Sequence, residues 1–87
     1  MKVIVLYRPN SDHARVVEEY LRDFQSQHAS RVEALSIDTR EGSATATLYD
    51  VVRYPAILVI QNDGYVSKIW EGDPLPLMDE IASYANA

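Results

Sequence analysis

Two short segments, Val3-Ile4-Val5-Leu6-Tyr7 and Ala56-Ile57-Leu58-Val59-Ile60, are apolar at every position. A strand with one wet face alternates polar and apolar residues. A strand that is apolar throughout is covered on both faces, as in the middle of an α/β sheet. The chain must therefore supply helices for both sides of a sheet. Its 87 residues leave room for one such domain, spanning residues 1–87. Ordering costs about 1.5 kcal/mol per residue, so the core must be efficient. Apolar residues at 47% and charged residues at 24% are ordinary for a globular chain and argue against disorder.

The remaining segments alternate between helix and strand signals. Lys2–Tyr7 is the first strand. Arg8-Pro9-Asn10-Ser11-Asp12 is a turn in which Ser11 or Asp12 caps the helix that follows. That helix is predicted over Asp12–Gln27, with Ala14, Val17, Tyr20, Leu21, Phe24 and His28 on one stripe. Arg15–Glu19 and Glu18–Arg22 form pairs one turn apart on the wet side. Arg31–Ile37 reads as a strand with Val32, Leu35 and Ile37 inward, and Asp38-Thr39-Arg40-Glu41-Gly42 as a turn. Ser43–Tyr49 is a short helix weakened by Thr45 and Thr47. After the strand Ala56–Ile60, Asn62-Asp63-Gly64 is a hairpin turn, and Tyr65–Trp70 returns with Val66 and Ile69 as its apolar positions. Glu71-Gly72-Asp73-Pro74 breaks the strand. Leu75, Met78, Ile81 and Ala82 then mark a C-terminal helix with Asp79 and Glu80 on its wet side. The order is β-α-β-α-β-β-α. It makes an α/β fold with one mixed four-stranded sheet flanked by helices, its first two strands parallel and its last two an antiparallel hairpin.

Composition narrows the chemistry. There is no cysteine, which excludes a disulfide framework, a thiolate metal site, a cysteine nucleophile and a redox pair. Eight Lys and Arg against 13 Asp and Glu give a net charge of −5, which opposes nucleic-acid binding. The first apolar run is too short for a signal peptide, and no run approaches a membrane span, so cytoplasmic localisation without a membrane partner is expected. His13, His28 and Asp12 are not spaced as a compact ligand set, so no metal or other cofactor is expected.

The stretch Val51-Val52-Arg53-Tyr54-Pro55-Ala56-Ile57-Leu58-Val59-Ile60 resembles the signature before and within the third strand of thioredoxins and glutaredoxins. In that family a Val lies four residues before a cis-proline, and an apolar strand follows. Asn62-Asp63-Gly64 and Gly72 fall where the superfamily has its hairpin glycine and the glycine after the last strand, and Val3 to Gln27 matches its active-site unit in position. The resemblance spans nearly the whole chain and implies a thioredoxin-like fold with a cis Tyr54–Pro55 bond facing the Ser11 turn. At the start of the first helix the family has Cys-x-x-Cys. Here the four positions are Ser11-Asp12-His13-Ala14, with Asn10 where thioredoxins have a Trp and Val5 where they bury an acid. A hydroxyl cannot replace a thiolate in disulfide exchange, so the resemblance implies the fold and argues against the activity.

Ser11 and His13, two apart in a cap, lack the geometry of a nucleophile and its base, and no orienting third group accompanies them. No catalytic residue is assigned. The resemblance instead points to a ligand cleft formed by Ser11, Asp12, His13, Arg53, Tyr54, Pro55, Gly72 and Asp73. In the redox relatives the backbone beside the cis-proline pairs with an extended peptide or with glutathione. Arg8, Arg15 and Arg53 are candidates for a cationic rim, or else solvated arginines paired with nearby acids. Tyr7, Tyr49, Tyr54, Tyr65 and Trp70 read first as packing residues, Trp70 against the C-terminal helix.

Two function classes follow. The first is a redox-inactive domain that binds a peptide or protein as an adaptor module. The second is a glutathione- or small-thiol-linked enzyme that retains the glutaredoxin-type cleft. The single glycine of Glu71-Gly72-Asp73 matches the glutaredoxin turn only in part and weakens the second. Because the chain has no thiol, insulin reduction by dithiothreitol should proceed at its uncatalysed rate when the purified protein is added.

Overall fold

A computed structural model describes residues 2–27, 32–72 and 75–85. The elements are β1 (Lys2–Tyr7), α1 (Ala14–Gln27), β2 (Val32–Ser36), α2 (Arg40–Leu48), β3 (Ala56–Ile60), β4 (Val66–Glu71) and α3 (Met78–Ala85). They form one four-stranded sheet in the order β2-β1-β3-β4. β1 runs parallel to β2 and antiparallel to β3, and β3 runs antiparallel to β4. The two wholly apolar runs are thus the two central strands.

Successive side chains of these strands go to opposite faces, and each face has its own core. Val3, Val5, Ile57 and Val59 pack with Val17 and Phe24 of α1 and Ile81 of α3. Ile4, Leu6, Ala56, Leu58 and Ile60 pack with Ala46 of α2 and with Val51 beyond it. Each large side chain buried this way contributes about 1.5–3 kcal/mol. Trp70 meets Tyr84 of α3 edge-on, with ring centroids 5.6 Å apart. The Tyr20 hydroxyl donates to the Pro76 carbonyl (2.5 Å) and ties α1 to the segment before α3. Burial, with the Glu80 carboxylate adding to it, pushes the Tyr20 phenol up to about 12, so it remains a donor at neutral pH. No helix among the described residues is long and apolar enough to cross a membrane.

Several boundaries differ from the sequence expectation. α1 begins at Ala14 rather than Asp12, because Ser11 and Asp12 are used in the preceding turn. β2 ends at Ser36 rather than Ile37, and β4 covers Val66–Glu71 rather than Tyr65–Trp70. Of the expected inward residues of β2, Val32 joins the α1 face, whereas Leu35 and Ile37 join the α2 face. His28, Arg31, Asp73 and Pro74 lie outside the described residues. α3 starts at Met78 rather than Leu75. Pro76 disfavours helical backbone at Leu75, and the Leu77 carbonyl accepts the first helical bond, from Glu80 N–H at 3.0 Å.

The largest difference is α2, which covers Arg40–Leu48 and takes in residues expected to form a turn. Thr39 is its N-cap: Oγ1 accepts from Gly42 N–H (3.0 Å) and donates to the Ser36 carbonyl (2.6 Å). Gly42, read as a breaker, is a packing device. A Cβ at this position would stand 1.9 Å from the Ser36 carbonyl oxygen, so only glycine lets the first turn of α2 close on the end of β2. The Thr45 and Thr47 hydroxyls donate back to the Glu41 and Ser43 carbonyls.

β4 also holds a bulge. Val59 pairs with Lys68 and Ile60 with Val66, leaving Ser67 as the extra residue. The bulge puts Val66 and Ile69, three positions apart, on the same α2 face.

Gly42→Ala should lower stability by about 2 kcal/mol in urea unfolding, the backbone clash outweighing the helix-propensity gain of about 1 kcal/mol. Thr39→Ala should cost about 1 kcal/mol through the lost cap.

Candidate functional site

β1 ends at Tyr7, and the chain turns through residues 8–13 before entering α1. Three hydrogen bonds close this turn. Arg8 N–H donates to His13 Nε2 (3.1 Å), Ser11 Oγ donates to the Arg8 carbonyl (2.5 Å), and Ala14 N–H donates to the Ser11 carbonyl (3.3 Å). The imidazole Nε2 is thereby taken up as an acceptor by the main chain. The sequence reading has Ser11 or Asp12 capping α1. Among the described residues the Ser11 hydroxyl donates to the Arg8 carbonyl, and no bond from an α1 N–H to either side chain is found. Asp12 is exposed, and no hydrogen bond to its carboxylate is found among the described residues. The first turn of α1 contains no acidic side chain.

Loop 49–55 lies across from this turn. The Tyr54–Pro55 peptide bond is cis, Pro55 is buried, and Tyr54 is half-buried with its hydroxyl donating to the Val51 carbonyl (3.2 Å). The loop is pinned from β4. Glu71 Oε1 accepts from Val52 N–H (3.0 Å) and Arg53 N–H (3.3 Å), and Gly72 N–H donates to the Pro55 carbonyl (2.8 Å). Gly72 has φ +77°, and a Cβ there would lie 3.1 Å from Arg53 Nη2. Glycine is needed for the left-handed backbone; the exposed guanidinium could give way by the few tenths of an ångström that a Cβ would require. The main-chain N–H and C=O of Tyr54 make no hydrogen bond among the described residues.

Between turn and loop is a cleft of about 320 Å³ lined by Arg8, Ser11, Asp12, His13 and Tyr54. The fold therefore gathers Ser11, Asp12, His13 and Tyr54, with Pro55 next in the chain. Arg53 and Gly72 pack on each other and do not line the cleft, and Asp73 lies outside the described residues. Of the three arginines considered for a rim, Arg8 lines the cleft. Arg15 is exposed on α1 and paired with Glu19 at 3.4 Å. Arg8 makes a 4.0 Å contact with Asp38, both side chains more than half exposed, a pair worth little in water. Among the described residues no three His, Asp or Glu side chains gather closely enough to hold a metal ion.

Glu71 is the loop-positioning residue that the sequence reading did not single out: it read as part of a strand-breaking turn, and because the Val52 and Arg53 amides it holds are exposed, no unmet bond in the sequence pointed to it.

No family model and no curated protein matches the chain. The structure is similar to that of thioredoxin 1 from the thermophilic eubacterium Thermosipho africanus, with a TM-score of 0.70 over 99% of this chain and 91% of that chain. Sequence identity is 9%, so the likeness is one of fold. The fold is thioredoxin-like, and the chain lacks the thiols that dithiol exchange requires.

Glu71→Ala should release the Val52 and Arg53 amides to faster hydrogen exchange and cost about 1 kcal/mol, while Glu71→Gln, which keeps an acceptor, should recover part of both effects.

Proposed function

We propose that this chain is a redox-inactive binding module that holds an extended, acid-bearing peptide segment in the cleft between the Arg8–His13 turn and the Tyr54–Pro55 loop, without transforming it. The observation that carries the reading is the division of labour in the loop. Glu71 holds the N–H groups of Val52 and Arg53, and among the described residues nothing takes the main-chain groups of Tyr54, which supports their pairing with an added strand.

The electrostatics favour an acidic segment. Arg8 supplies a guanidinium suited to a carboxylate, and the start of α1 carries partial positive charge, against which the Asp12 carboxylate on the same cleft acts in part. The chain as a whole is at −5, so its field repels anions and discourages those that the local donors do not hold. The Ser11 hydroxyl is a poor nucleophile in this setting. Its proton is given to a main-chain carbonyl, and the nearby imidazole nitrogen is occupied by Arg8 N–H.

The test is NMR titration with acidic peptides and, separately, with glutathione. Saturable shifts should be confined to Ser11–Arg15 and Arg53–Ala56, and Arg8→Ala should weaken peptide binding about tenfold. Shifts around Trp70 and α3 instead would place the interface elsewhere on the domain. Saturation by glutathione alone would favour the small-thiol reading.

A further inference from the structure

A second groove opens on the other side of Arg8 and Tyr54, which line both spaces. It has a volume of about 390 Å³ and runs along α2. Its apolar part is Ile37, Ala46, Val51 and Val52, of which Ala46 and Val51 are buried and Val52 is exposed. Its polar part is Arg8, Ser43, Thr47 and Asp50, with Tyr54 beside them.

Apart from Arg8, the polar groups favour a donor that carries positive charge. Thr47 Oγ1 gives its proton to the Ser43 carbonyl (3.1 Å), which leaves the oxygen as an acceptor. Asp50 follows the C-terminus of α2 and is held at φ +58° with its N–H on the Thr47 carbonyl (3.3 Å). No ion pair to its carboxylate is found among the described residues. The end of α2 carries partial negative charge, and its last turn has no basic residue to offset it. A carboxylate, the Thr47 hydroxyl oxygen and a helix C-terminus thus meet in a groove with an apolar floor of Ala46 and Val51. That arrangement matches a long aliphatic stem ending in an ammonium group.

We propose that this groove is a subsite for a lysine side chain of the bound peptide, its stem on Ile37, Ala46 and Val51 and its ammonium at Asp50. Arg8 at the shared wall keeps the peptide's acid on the cleft side and its base on the α2 side, which fixes the direction in which the segment lies. The peptide as a whole rests on the cleft reading above; the preference of the groove for an ammonium does not.

The experiment uses the intact chain and three probes followed by NMR: an acidic peptide containing one lysine, the same peptide with norleucine in its place, and Nα-acetyl-lysine amide alone. The lysine peptide should shift both Ser11–Arg15 and Ser43–Val52. The norleucine peptide should lose the Ser43–Val52 shifts and about fivefold in affinity. Asp50→Asn should produce the same loss with the lysine peptide, and because asparagine accepts a left-handed backbone the variant should fold as the parent does. Nα-acetyl-lysine amide should shift Ser43–Val52 and leave Ser11–Arg15 unmoved. Equal binding of the lysine and norleucine peptides, or lysine binding indifferent to Asp50→Asn, overturns the subsite and leaves the cleft standing. Response of Ser43–Val52 to the amide, with no peptide shifting Ser11–Arg15, upholds the subsite and removes the cleft reading.

Discussion

β1 and β3 lie side by side with almost every side chain removed from water on both faces, and the rest of the structure is arranged to cover them. One face takes α1 and α3, the other α2 and the segment after it. This division explains why a chain of 87 residues can afford no idle element. The nine-residue α2 is too short to be stable alone, and it persists because Ala46 seals a core that would otherwise be wet. The same demand brings the β1–α1 turn and the β3 approach loop to one end of the sheet, where the cleft is.

The sequence made the covered strands easy to read, because unbroken apolar runs have few other homes. The α1 stripe of Val17 and Phe24 was equally plain from its spacing. α2 was harder. Gly42 carries opposite meanings in a helix and in a turn, and what decides between them is the Ser36 carbonyl, a group with no local trace in the sequence. The bulge at Ser67 likewise depends on how β4 meets its neighbour, which a strand's own residues do not reveal.

In the cleft, Ser11, Asp12, His13 and Tyr54 were legible through the likeness of their surroundings to a known family, and their hydrogen bonds were not. Ser11 and His13 turn inward to stabilise the bend that delivers the chain from β1 to α1. The bend therefore has its own internal support. Glu71 does the corresponding work for the opposite loop from a position 18 residues along the chain from Arg53. A contact across that separation depends on the β3–β4 hairpin and cannot be read from local spacing. The α2 groove escaped for the same reason: Ile37, Thr47 and Val51 become neighbours only once α2 has docked.

The uniform greasiness of β3 has a consequence for how the sheet finds its alignment. In a half-wet strand, sliding by one residue throws the apolar set into water, and burial alone enforces the correct pairing. Ala56–Ile60 would remain apolar after such a slide, so burial is silent about where it should stop. The decision passes to the ends of the strand. At one end Gln61 and Tyr65 are joined through main-chain bonds around Gly64, which sits at φ +93° with the Asp63 carboxylate bracing the return. At the other, Gly72 N–H fastens to the Pro55 carbonyl. These polar fixings act as stops at either end of an interior that would otherwise slide.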